Sequence, residues 1–465
     1  MYSDATLAHG DGATTPVADV AAPVATEMAP TAAQSGDARK RRGPAFFAPL
    51  QGANFRRLLL GQTVSRFGDQ FYFVEIPWLV LRAGGGPAAL SAVVGASAVT
   101  LGVFTLVGGV LADRYGPRAL MLGADLARLV IMGGLAALAI LSTPPLWALI
   151  AISAALGIGG GLFYPASGAM IPYLVPEDDR QAANSFDQIT MQTGNFVGPS
   201  VAGVLLTVTQ LAFGFVLDAV SFLISVVTLF AIRMPPRQTA MTDQAQMQTK
   251  ADATDAAQAK GKGGLASLFE AVRYLRATPF LFTLLGLSLL GNFSANGLFE
   301  VGMPLLLKDM VGLAEGPRAM GFVIGGFGLG SIIGAVAAGV ASRIPHKPLV
   351  AIIVLVPVAA LMGFAPFAGT VLPLAGVFAV MGVLLALSNV LFITVIQRLI
   401  PMEMMGRMMS LTMLGSFAGT PLSIFVYGAA ATIVPSVAWL FLAGGSLFGF
   451  ACLLALTRKV IWQTA

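Results

Sequence analysis

The sequence predicts an all-α integral membrane protein whose twelve transmembrane helices form two six-helix bundles, related by a pseudo-two-fold axis along the membrane normal. Three observations carry that expectation. Apolar segments of about 20 residues, the length that crosses a roughly 30 Å hydrocarbon layer, recur from Phe55 to Leu456. The chain is 56% hydrophobic and only 11% charged, where soluble domains carry about a quarter of their residues charged. The halves also repeat in one direction: Gly61 matches Gly286, Glu75 matches Glu300, Gly86-Pro87 matches Gly316-Pro317, and Leu174-Val-Pro176 matches Leu399-Ile-Pro401. Same-direction repeats of this kind are a recurring transporter design. A membrane β-barrel would instead show short segments of alternating polarity.

Element by element, residues 1–53 are rich in Ala, Thr, Pro and Asp and lack an apolar stretch. They read as a disordered cytoplasmic tail and not as a signal peptide. The basic run Arg39-Lys40-Arg41-Arg42 holds that tail near anionic headgroups. Residues 54–232 form the first bundle, with spans over Arg57–Leu81, Ala89–Leu111, Ala119–Leu141, Leu146–Pro172, Ala183–Thr207 and Leu211–Ile232. A polar cytoplasmic linker occupies 233–264, and the segment 265–458 holds an amphipathic interfacial helix, with Leu268, Phe269, Val272 and Leu275 on one side, and the second bundle. The last six spans cover Phe280–Leu307, Ala319–Ala341, Leu349–Phe367, Val371–Ile396, Arg407–Ala431 and Val437–Leu456, and 459–465 is a short tail.

Basic residues set the orientation. With the N-terminus in the cytoplasm, only Arg82, Lys308 and Arg318 of the 27 Lys and Arg fall outside, Arg66 and Arg128 lie within spans, and the rest lie inside. The net charge of +5 is therefore a topology signal and not a nucleic-acid surface. Both termini are expected to be cytoplasmic.

The scarce polar chemistry excludes several classes. Cys452 is the only cysteine, so no internal disulfide or cysteine metal site forms, and the two histidines, His9 and His346, lie outside the spans. No phosphate-cradling Gly-x4-Gly-Lys-Ser/Thr sequence is present, so ATP hydrolysis is not the energy source. No nucleophile or metal constellation marks an enzyme, and no cofactor or metal is expected.

The loop after the second span reads Gly109-Val-Leu-Ala-Asp113-Arg114-Tyr-Gly116-Pro117-Arg118. Gly109 permits close helix approach, Gly116 a tight turn, and Asp113 can bond neighbouring helix ends while Arg114 and Arg118 stay at the cytoplasmic face. The fifth span contains Gly194-x3-Gly198-Pro199 followed by Gly203, a run of small residues with a proline that frees a carbonyl. A diluted counterpart, Gly415, Gly419 and Pro421, lies in the eleventh span, and the loop counterpart falls near Ser342-Arg343. These two sequences resemble the loop motif and the antiporter motif of the major facilitator superfamily. The stretch from Asn54-Phe-Arg-Arg-Leu through Gly68-Asp69 and Asp125-x2-Arg128 is similar to the branch holding enterobactin exporters and macrolide-efflux proteins. The resemblance covers residues 54–458. It implies a conformational gate at Gly109, Asp113, Arg114, Gly116 and Arg118. It further implies export of an amphipathic small molecule by proton antiport from a bacterial plasma membrane. The fourth span, with Gly157-Ile-Gly-Gly-Gly161, lacks the arginine that many drug/proton antiporters carry there; Arg128 is the substitute cation.

Ionisable residues inside the membrane are expensive and mark function. Asp125 and Arg128 share one helix face at a three-residue spacing and read as a structural ion pair. Arg66 and Asp69 have the same spacing deeper in the first span, open equally to a structural and a functional reading. Asn292, Asn296 and Glu300 form a polar stripe drifting about 40° per step, which must face protein or water. Through the repeat, Glu75 is expected to face the same cavity from the other half, with Phe71, Tyr72 and Trp78 supplying aromatic surface. The expected function is a monomeric secondary transporter, proton-coupled and exporting hydrophobic or amphipathic compounds, with Glu300 ranked before Glu75 and Asp69 as the coupling acid. An uptake carrier or facilitator, and a non-transporting sensor or lipid-handling protein of the same fold, are the alternatives.

Overall fold

The computed structural model describes residues 45–205, 211–234, 279–340, 346–399, 419–458 and 461–462. The expectations for the tail before residue 45, the linker, the interfacial helix, Ser342-Arg343, Gly415 and the final residues lie outside these. Among the described residues every regular element is helical. After a 3-10 turn at Ala45–Gln51 come α1 (Ala53–Arg82), α2 (Pro87–Tyr115), α3 (Pro117–Leu141), α4 (Leu146–Leu174), α5 (Arg180–Leu205) and α6 (Leu211–Ala231). Then follow α7 (Pro279–Gly297), α8 (Met303–Val340), α9 (Lys347–Phe364), α10 (Val371–Leu399), α11 (Gly419–Ile433) and α12 (Ala438–Leu456). Eight stretches among them are long and apolar enough to cross a bilayer. α1 falls short of that measure because it carries Arg66, Asp69 and Glu75 in mid-helix, and α5 because Gln181, Asn184, Gln188, Gln192 and Asn195 make it too polar.

Turn chemistry explains the boundaries. Gly86 precedes α2 and places Pro87 at its first position, where a missing N–H costs nothing. Gly116, at φ 86°, alone links α2 to α3, a backbone region that disfavours side chains. A π-helical turn at Leu298–Gly302 joins α7 to α8, so the seventh span runs on to a break inside α8 at Gly312, with φ 79°. The sequence reading ended that span at Leu307 and began the next at Ala319. The helix in fact continues on both sides of Gly312, because only that residue needs a left-handed backbone.

In lipid there is no hydrophobic drive between helices, so close backbone packing takes its place. α2 packs along α4, α3 against α4 and α6, and α1 against α5 and α6. In the second half α8 packs along α10, α9 against α10 and α12, and α7 against α12, the same plan displaced by six helices. Between α2 and α4, Thr100 Oγ1 donates to the Ala154 carbonyl at 2.9 Å, and Gly157 and Gly161 leave room for the backbone opposite. Gly108, not Gly109, makes the close approach from α2: a methyl at Gly108 would strike the Gly161 carbonyl, whereas Gly109 faces open space. Between α8 and α10, Gly326, Gly330 and Gly334 lie one turn apart against the backbone of Ala375, Ala379 and Val383. The halves meet at one end, where Trp78 of α1 covers Gly316 of α8, Phe425 of α11 covers Gly95 of α2, and Ser91 fills the space beside Gly428.

At the opposite end, the carbonyls that terminate α6 need partners. Arg118 donates to Leu229 and Phe230, both at 3.0 Å, Arg57 to Ala231 at 2.9 Å, and Asn54 to Arg233 at 2.9 Å. Cations at a helix C-terminus also suit its dipole.

Candidate functional site

A cavity of about 1230 Å³ lies between the two sets of helices and reaches toward the end where α7 begins and α10 ends. Its wall is largely apolar, with Met132, Leu156, Phe299, Phe327 and Phe448 among the lining side chains. Among the described residues, four acidic or basic side chains interrupt it: Asp69, Arg128 and Asp218 from one side and Glu300 from the other.

Glu300 sits in the π-helical turn, half-buried, and makes no hydrogen bond or ion pair to a described residue. Such turns add a residue to the helix and occur often at functional positions. Its expected stripe-mates are present in the wall. Asn296 donates to Thr420 Oγ1 of α11 at 3.0 Å, and Asn292 donates to the Ser288 carbonyl at 2.8 Å. Across from Glu300, the Tyr72 hydroxyl donates to Ser153 Oγ at 2.8 Å while remaining within electrostatic reach of the Glu300 carboxyl.

Arg128 is the centre of the opposite wall. It pairs with Asp69 and, at 3.3 Å, with Asp125. Its guanidinium stands 4.0 Å from the ring centroid of Phe222, a cation–π arrangement. Gly159 of α4 leaves the room its stem needs. Ser225 of α6 donates to the second Asp125 oxygen. The Asp125–Arg128 pair expected from spacing is therefore there, but it extends across three helices to Asp69.

Three expected placements differ. Arg66 does not pair with Asp69; it reaches α5, bonding Asp187 Oδ1 at 2.7 Å and Thr190 Oγ1 at 2.6 Å, with Gln62 on its own helix at 2.9 Å. Spacing alone cannot choose between a partner on the same helix and a better one next door. Glu75 does not line the cavity. It is fully buried at the α1–α6 interface, its carboxyl against the backbone of Gly214 and Phe215 and with no side-chain partner among the described residues. Glu75 lies six residues beyond Asp69, which turns it about 120° away around α1. Phe71 packs with Val74 and Ala202, and Trp78 is sealed against Gly316, so only Tyr72 of the expected aromatics reaches the cavity.

Among the remaining sequence candidates, Gly194 and Gly198 of α5 let that helix settle on Arg66 and Gln70 of α1, Pro199 lines the cavity, and Gly203 follows on the same helix. Asp113 and Arg114 are exposed at the end of α2; Arg114 stacks on Tyr115 and Arg118 caps α6, while Asp113 makes no ion pair among the described residues. The sequence inventory passed over Asp187 and Asp218. Asp218 was legible as a lone acid within Leu211–Ala231, otherwise nearly all apolar. No group of His, Cys, Asp or Glu among the described residues is arranged to hold a metal ion.

Comparison with known proteins places this geometry. A model of the Major Facilitator Superfamily matches residues 58–424. The multidrug efflux pump Tap of Mycolicibacterium fortuitum is 24% identical, over 80% of this chain and 87% of its own. The enterobactin exporter EntS of Salmonella typhi is 26% identical, over 86% and 91%. The macrolide efflux protein A of Streptococcus pyogenes is 26% identical over 59% and 66%. Among solved structures, the nucleoside transporter NupG superposes with a TM-score of 0.65 at 10% identity, covering 87% of this chain and 99% of its own. The D-xylose-proton symporter superposes at 0.59 with 15% identity, over 87% and 95%. These shared structures speak for the fold.

Proposed function

The chain belongs to the Major Facilitator Superfamily as a multi-pass membrane transporter, and from that premise we propose that it is a proton-coupled antiporter exporting hydrophobic or amphipathic small molecules by alternating access. The observation that carries the reading is Glu300: a carboxyl with no described partner, in a large apolar cavity between the halves. A charge placed there is costly unless something neutralises it. A proton and a substrate bearing a cation or hydrogen-bond donor compete for that role, and competition at one site is enough for antiport. Relatives named for drug, macrolide and enterobactin efflux support the direction and the substrate class.

In this reading twelve helices form two six-helix bundles about an axis along the membrane normal. The repeated packing plan supports that arrangement. Both termini lie in the cytoplasm of a bacterial plasma membrane, the proton gradient supplies the energy, and the working unit is a monomer. The end closed by Trp78 on Gly316 is then the outer one, so the cavity faces inward. Asp113, without an ion pair among the described residues, is a latch that engages when the site faces outward.

The test is flux. Reconstituted in proteoliposomes, the protein should move erythromycin and ethidium against their gradients only when an inward proton gradient is imposed. Equal downhill rates with and without that gradient, in protein that still binds the probes, would favour a facilitator.

A further inference from the structure

Along α6, Gly214, Asp218, Ser221, Ser225 and Thr228 follow at alternating steps of four and three, which places them on one face of the helix. That face is buried. Asp218, Ser221 and Ser225 are at most 4% exposed, in a helix that is otherwise nearly all apolar. α1 meets it at a matching repeat: Gly61 lies against Ser225 and Thr228, Gly68 against Ser221 and Asp218, and Glu75 against Gly214. α3 completes the file with Asp125, which accepts from Ser225, and Arg128.

The charges do not balance. Around Arg128 stand Asp69, Asp125 and Asp218, with Glu75 beyond Gly214 within electrostatic reach of Asp218. Arg128 engages Asp69 and Asp125 directly. Among the described residues Asp218 has only the Ser221 hydroxyl on one oxygen at 3.2 Å, and none partners its other, buried oxygen. Both Glu75 oxygens are likewise buried with no side-chain partner among the described residues, facing only the backbone of Gly214 and Phe215 at the start of α6. Among the described residues the groups facing Asp218 are Asp69, Tyr72 and Glu75 from α1 and Arg128 and Asp125 from α3, with Glu300 across the cavity; Arg128 is the sole cation among these. An unpartnered buried carboxylate costs several kcal/mol, and Asp218, itself closed to water in this state, borders the cavity that could supply a proton to remove that cost.

We propose that the α1–α6 interface is a second proton-binding locus, separate from Glu300, in which Asp218 exchanges a proton with the cavity and Glu75 holds one behind it. Its use in transport rests on the antiporter reading, but proton binding itself does not. The first half of the chain then loads protons while Glu300 of the second half meets substrate. Gly68 and Gly214 are the residues that make room for it, since a methyl at either would overlap the carboxyl opposite.

Infrared spectroscopy of the full chain in lipid tests this directly, because a protonated carboxyl has a C=O stretch apart from those of carboxylates and amides. At neutral pH the wild type should show protonated-carboxyl intensity, of which Glu75→Gln and Asp218→Asn each remove a portion. The Asp218 portion should fade as the bath is made alkaline. If Asp218→Asn does not yield folded protein, Asp218→Glu should shift that band in frequency. Undiminished intensity in Glu75→Gln and Asp218→Asn, or an unshifted band in Asp218→Glu, would overturn the proposal. A protein that shows these bands but no gradient-driven export would retain this locus and lose the antiporter reading.

Discussion

On the α1–α6 side, Arg66 holds Asp187, Arg128 holds Asp69 and Asp125, and Glu75 and Asp218 are buried beside them. On the α7–α12 side, Glu300 is the single ionisable residue of the cavity wall among the described residues, and the helices are joined by glycine contacts and by short polar bonds such as the Gly297 N–H donating to Ser423 Oγ at 2.8 Å. The packing plan is shared and the electrostatics are not. A half knitted by buried ion pairs resists rearrangement, because separating one pair exposes every charge in it. A half held by glycine contacts can slide, and its lone acid can respond to whatever enters the cavity.

The largest effect should come from removing the cation that organises the first half. Arg128→Met leaves Asp69 and Asp125 uncompensated, and breaking a buried pair in this way costs about 3–5 kcal/mol. Thermal unfolding in detergent should show a large fall, and the triple change Arg128→Met with Asp69→Asn and Asp125→Asn should recover much of it. No recovery would mean that the cluster matters for shape and not for charge.

Next come the glycine contacts that stand in for charge in the second half. Gly330→Val should cost about 1–3 kcal/mol by overpacking the α8–α10 contact. Its counterpart in the first half is Gly108→Val at α2–α4, with a similar loss, while Gly109→Val should stay within about 0.5 kcal/mol, as exposed changes do. Equal losses at Gly108 and Gly109 would undo the assignment of the packing face.

Those two glycines show where sequence reading stops. Length and hydropathy made the helices legible, and repeated glycines and prolines made their order legible. Adjacent glycines differ in role by 100° of helix rotation, which hydropathy does not resolve in a segment apolar all round. Arg66 illustrates the same limit for charge: its three-residue spacing to Asp69 fits an ion pair, yet Asp187 on α5 offers the better geometry. Glu300 was readable because Asn292 and Asn296 mark its face. Glu75 was misplaced because the repeat transfers position along a helix more faithfully than rotation about it, and the π-helical turn at Leu298–Gly302 exists in one half only among the described residues.

A smaller effect belongs to the capped end of α6. Arg118→Ala removes two bonds to terminal carbonyls, and the loss should be about 0.3–1 kcal/mol in the same unfolding assay, since water can replace a donor at an exposed helix end. A loss as large as that of Arg128→Met would place Arg118 within the buried cluster instead.

The smallest change in stability should accompany the largest change in function. Glu300→Gln keeps the shape and removes the charge of a residue with no described partner, so its unfolding should stay within about 0.5 kcal/mol of wild type. The decisive measurement is pH-driven uphill export of the probes by this variant in proteoliposomes, beside Asp69→Asn. Glu300→Gln should lose uphill export while downhill exchange survives at least in part. Wild-type coupling in Glu300→Gln, with coupling lost instead in Asp69→Asn, would contradict this and move the competing site to α1.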